Sequence, residues 1–135
     1  YAGLYSHAQD YRDFAVPAID EMVRQTGAPQ FDENGMLTRG TVIRHLMLPG
    51  LGGDTSQILR DIAVRWGNCV LVSLMRQYTP DFAPRDMHEL CRRVTSFEYD
   101  YVLDAARDMG YSGYMQDADS ASAAYTPDFT RNTGL

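Results

Sequence analysis

Arg44 interrupts the apolar run T-V-I-R-H-L-M-L at residues 41–48. Strand alternation groups Val42, Arg44, Leu46 and Leu48 on one face and Ile43, His45 and Met47 on the other. A guanidinium on a buried face must meet an anion, because an unpaired buried charge is costly. Either an internal carboxylate or the carboxylate of a bound ligand would serve, and Arg grips carboxylates bidentately. His45, on the opposite face, reads as a core histidine beneath a covering helix. A second apolar run, C-V-L-V-S-L-M at residues 69–75, ends in Arg76-Gln77-Tyr78. In α/β sheets ligands sit beyond the carboxyl ends of strands. Ser73, Gln77 and Tyr78 are therefore candidate ligand contacts; a polar loop capping an apolar strand is the alternative.

Between the runs lies L-P-G-L-G-G-D-T-S, a glycine-rich loop opening a helix. Backbone amides at such a place attract anions. The P-loop Lys and the GxGxxG pattern are both missing, and Asp54 occupies the place a phosphate would take. A tight turn feeding a capped helix accounts for the loop equally. No Ser–His–Asp or Cys–His arrangement can be traced. His7, His45 and His88 have no metal-ligand spacing, and Asp86, His88 and Glu89 read as solvated loop. Cys69 and Cys91 form neither a CxxC pair nor a zinc pattern, and are expected to be reduced thiols of a cytoplasmic protein.

These groups need elements to hold them. Asp10 reads as an N-cap, followed at helical spacing by Tyr11, Phe14, Ala15, Ala18, Ile19, Met22 and Val23, all expected on one core-facing stripe. Pro17 is expected to kink that helix or mark a fresh first turn, and Gly27 and Pro29 end it. Asp32-Glu33-Asn34-Gly35 is a turn between short extended pieces. Residues 41–48 and 69–75 read as strands covered on both faces, as in parallel sheets. Between them a helix begins at Asp54, which with Gln57 imitates a capping box. Residues 76–94 form a long loop. Thr95 and Glu98 form a second capping box, opening a helix that runs to Met109. Residues 111–116 read as a last short strand. The fold class is α/β, with parallel strands alternating with helices over residues 1–116 and a polar tail over 117–135.

The chain of 135 residues has room for one core. No stretch is long and apolar enough to cross a bilayer, so no membrane is expected. The net charge is −6, and all 12 cationic side chains are Arg. Such a chain repels phosphate backbones, so nucleic acid is not an expected partner.

The motifs V-I-R-H-L-M-L-P-G and V-S-L-M-R-Q-Y-T-P, with the helix end E-M-V-R-Q-T-G and the tail Y-T-P-D-F, resemble the late part of radical SAM proteins. The nearest group is the relatives of pyruvate formate-lyase activating enzyme, whose Arg, four residues, then Pro-Gly is matched by Arg44 and Pro49-Gly50. The resemblance implies the C-terminal part of a partial (β/α)6 TIM-like barrel. It implies a parent that binds a [4Fe–4S] cluster through CxxxCxxC and cleaves S-adenosylmethionine reductively. The radical so formed abstracts hydrogen from a substrate, often a glycyl radical enzyme. With two cysteines and no CxxxCxxC, this chain is expected to be the last part of a longer protein, inactive alone and holding neither cofactor. The resemblance places Arg44 near the methionyl end of S-adenosylmethionine, and Leu74, Met75 and Gln77 near the adenine. Self-association through exposed barrel edges is expected of the isolated piece. The rival expectation is a non-catalytic α/β module that binds a small anion or a protein.

Overall fold

The structure is a computed structural model that describes residues 8–111. Helix α1 spans Tyr11–Thr26, hairpin strands β1 and β2 span Gln30–Phe31 and Leu37–Arg39, and β3 spans Thr41–Leu46. Helix α2 spans Gly52–Trp66, β4 spans Val70–Met75 and α3 spans Ser96–Asp108. β1 and β2 pair antiparallel, while β3 and β4 form a separate two-stranded parallel sheet. The fold is thus mixed α/β, and among the described residues no barrel closes. Of the strand expected at 111–116, all but Tyr111 lies outside the described residues, as does the tail.

The hairpin forms where Asp32 gathers its own turn. Its side chain accepts from the Asn34 and Met36 amides at 2.9 and 2.8 Å. Arg39 then donates to the Gln25 and Thr26 carbonyls, each at 2.8 Å, satisfying two acceptors left open at the end of α1. Thr26 and Thr41 meet hydroxyl to hydroxyl at 3.0 Å, which ties α1 to the start of β3.

One core lies between the parallel sheet and the helices. It gathers Met47, Leu59, Ile62, Val70, Val72, Leu74, Val94, Tyr99 and Val102, all buried. The spacing of Leu59 and Ile62 places both on the sheet-facing side of α2, as the 3.6-residue period requires. α3 opens on the expected capping box: Thr95 accepts from the Glu98 amide at 3.2 Å and Glu98 accepts from the Thr95 amide at 2.9 Å.

Several expectations are corrected. The stripe on α1 divides: Ile19 and Val23 reach the core, whereas Tyr11, Phe14 and Met22 are 63%, 71% and 47% exposed. One helix touching the sheet along a single edge cannot bury an arc that wide. Asp10 precedes α1 but its side chain caps nothing, and α1 runs through Pro17 as one helix. Both Pro17 and Asp13 are exposed, so water can serve the carbonyl that the proline leaves unbonded. α2 begins at Gly52, two residues before Asp54, so no Asp54–Gln57 box forms, and Gln57 donates instead to Asp61 at 3.0 Å. Among the described residues, helices cover one face of the parallel strands. β4 alternates strictly between buried and half-buried residues, a pattern of one-sided burial.

Candidate functional site

The parallel register sets Val42 beside Leu71, Arg44 beside Ser73 and Leu46 beside Met75. In a parallel pair such neighbours share a face. Their opposites, Thr41, Met47, Val70, Val72 and Leu74, are buried against the helices. Arg44, Ser73 and Met75 therefore stand together on the uncovered face, toward the carboxyl ends of both strands. The expected buried guanidinium is corrected here: Arg44 is exposed. None of the ion pairs among the described residues involves it. Alternation places Arg44 as expected, but no helix of the described residues lies over this face.

Gln77 continues the row, with its side-chain amide 3.9 Å from the Met75 sulfur. Tyr78 does not join it. Its hydroxyl donates to the Leu90 carbonyl at 2.9 Å and its ring packs against the core. Burial, with the Cys91 thiol beside it, holds its phenol above the ordinary range. Four of the five predicted contacts thus gather at one strand end, while Tyr78 braces the loop behind it.

The guanidinium that is partly buried is Arg76, which sequence reasoning passed over. It stacks 5.1 Å from the centre of the Tyr99 ring, and its Nη2 lies 3.4 Å from the Ser96 hydroxyl. Its Nε is buried and has no hydrogen-bond partner. The Tyr99 hydroxyl in turn donates to the Leu74 carbonyl at 3.2 Å. Alternation carried one residue past Met75 puts Arg76 on the helix-facing side, a signal that was present in the sequence.

Glu98 was also missed as more than a cap. One carboxylate oxygen accepts from the Gly50 amide at 2.8 Å and from Arg92 at 2.7 Å. The other accepts from Arg92 at 2.8 Å and from the Thr95 amide and hydroxyl, both at 2.9 Å. Arg92 chiefly, then these other donors, hold the carboxyl far below the usual carboxylate range against a smaller opposing effect of burial. The Gly50 amide, part of the expected anion loop, is thus occupied by the protein's own carboxylate.

His45 lies on the helix side, its Nε2 3.1 Å from the hydroxyl of Thr55, which is fully buried. This is the core histidine expected. Burial lowers its pKa below the ordinary 6.5, so the native state takes up its proton later than the unfolded chain does. Its contribution to stability is complete above about pH 6.5 and is lost as pH falls through the native-state value, by at most about 1.4 kcal/mol per pH unit. Denaturant titrations at pH 7.5 and pH 5 should show this fall, and His45→Gln should flatten it. An unchanged pH dependence in the variant would assign the fall to another group.

A depression of about 450 Å³ lies at the opposite end of the sheet, lined by Ala28, Pro29, Phe31, Asn68, Leu71 and Tyr111 among others. No candidate from the sequence lies in it. Cys69 and Cys91 are free, exposed thiols, and no three metal-ligating side chains cluster among the described residues. Two thiols do not fit a cluster that needs three. Compared with family models, curated proteins and solved structures, the chain finds no match.

Proposed function

We propose that this chain is the C-terminal α/β portion of a radical SAM protein related to pyruvate formate-lyase activating enzyme, and forms part of the wall of an S-adenosylmethionine pocket. One observation carries the reading: Arg44, Ser73 and Met75 stand side by side toward the carboxyl ends of two parallel strands, on a face that no helix of the described residues covers. Parallel sheets are ordinarily covered on both faces, and a face without helices is what an arc of a partial (β/α)6 barrel presents inward.

The residues present fit the ligand. Arg44 would hold the carboxylate, and Met75 would pack its soft thioether on the purine, with Ser73 and Gln77 as polar contacts. When bound, S-adenosylmethionine supplies the hydrogen-abstracting chemistry of that family. The [4Fe–4S] cluster is another matter: it needs three thiolates, and the chain's two cysteines do not fit it. The rival reading, a glycine-loop anion module, is disfavoured because Glu98 already accepts from Gly50 and Asp54 lies in the first turn of α2.

The chain supplies one wall only and should not retain the ligand by itself, so the test is amide and methyl NMR, which reads weak contact, with the chain titrated with S-adenosylmethionine and separately with inorganic phosphate. The adenosyl ligand should shift Arg44, Ser73 and Met75, and phosphate should leave the Gly50–Gly53 loop unmoved. Arg44→Ala should weaken the adenosyl ligand by about tenfold or more, the value of a charged hydrogen bond. Because Arg44 is exposed, the same change should alter stability by less than about 0.5 kcal/mol. Equal affinity in the variant, or shifts confined to the glycine loop, would reject the reading.

A further inference from the structure

We infer that Glu98 is a positioning residue that fixes the turn ending β3, a task separate from its capping of α3. A capping-box glutamate needs one acceptor for the N-cap amide. Here the oxygen serving Thr95 is not the one serving Gly50. The second oxygen reaches a residue 48 positions earlier, across from α3 to the end of β3. Arg92 bonds both oxygens and so holds the carboxylate plane for both tasks.

The turn, Leu48 to Leu51, is closed by the Leu51 amide donating to the Leu48 carbonyl at 3.2 Å. Pro49 is fully buried beneath it. Gly50 has a φ of 79°, a left-handed conformation that most side chains resist. The turn's internal bond does not use the Gly50 amide, which donates to Glu98 and so ties the turn to α3. β3, which carries Arg44 and Leu46, leads directly into this turn, and α2 leads out of it. The placement of this turn against α3 therefore depends on a carboxylate supplied by α3. The consequence for a ligand rests on the adenosyl-pocket reading above; the consequence for the turn does not.

Hydrogen exchange of the Gly50 amide separates the two tasks. In Glu98→Ala, Gly50 should exchange about tenfold or more faster relative to the core amides of β4. Thr95→Ala weakens the cap but leaves the Gly50 acceptor in place, so Gly50 and the β4 amides should change together. Arg92→Ala leaves the Thr95–Glu98 bonds their donors and acceptors but frees the carboxylate plane, and should deprotect Gly50 more than the β4 amides, which supplies the test should Glu98→Ala fail to fold. Glu98→Gln retains an acceptor and should restore most of the protection. Unchanged Gly50 exchange in both Glu98→Ala and Arg92→Ala would overturn the inference, as would equal selective deprotection by Thr95→Ala. If the wild-type chain binds no adenosyl ligand while Gly50 behaves as stated, the pocket reading falls and the positioning role stands.

Discussion

Replacing Leu59 by alanine should remove about 2–5 kcal/mol of unfolding free energy. Leu59 is 1% exposed on the sheet-facing side of α2, within the cluster that joins β4 to α3. Its removal leaves a void that a parallel strand pair and two crossing helices cannot close without moving apart. The carbonyl of the same residue accepts the Tyr111 hydroxyl at 2.8 Å, so a shift of this turn also loosens the chain after α3. Burial pushes the Tyr111 phenol up to about 12, so that bond keeps its proton at any ordinary pH. A domain of this size has about 5–15 kcal/mol in all, and the loss would take much of it. Val64, on the opposite side of α2 and 89% exposed, is the control: Val64→Ala should fall within about 0.5 kcal/mol of the parent. Urea denaturation of both variants decides it, and equal costs would mean that α2 does not pack as described.

Gly40→Ala should be the most damaging glycine substitution. The residue joins β2 to β3 with a φ of 145°, and an added Cβ would stand 3.0 Å from the Pro29 Cα and 3.3 Å from both the Pro29 Cβ and the Leu37 Cδ1. Backbone strain of this kind costs about 1–3 kcal/mol, and the contact with Pro29 backbone cannot be relieved by rotating a side chain. Moving that contact shifts Thr41 and so the register from which Arg44 and Ser73 become neighbours. Gly35→Ala provides the comparison, since Gly35 has a φ of 75° but nothing within 4 Å of the added atom. It should cost only the roughly 1–2 kcal/mol of a left-handed residue. If both variants unfold at the same denaturant concentration, close approach of the β1 entry is not what selects glycine at position 40.

Much of the local structure was legible. The Thr95–Glu98 box, the Asp32–Gly35 turn, both parallel strands and the three helices follow from short-range rules, because each is decided by hydrogen bonds or spacing within a few residues. The Asp54 error has the same scale. A box-like pair lay two residues inside a helix whose first turn had already started, and α2 used Gln57 for a surface pair instead. Arg76 was legible too, since alternation places it on the helix-facing side beside Tyr99.

Composition, alternation and turn chemistry were enough to specify an α/β chain with Arg44, Ser73 and Met75 on alternating strand positions, because side-chain direction in a strand is a property of the backbone itself. Which face received the helices was settled by packing. Met47, Val70, Val72 and Leu74 joined the core with residues of α2 and α3, and the face carrying Arg44 received no helix of the described residues. The split stripe of α1, the retreat of Tyr78 to Leu90 and the grip of Glu98 on Gly50 are of the same kind. Each depends on residues far apart in sequence competing for the same small volume, and that competition has no signature in any short window of the chain.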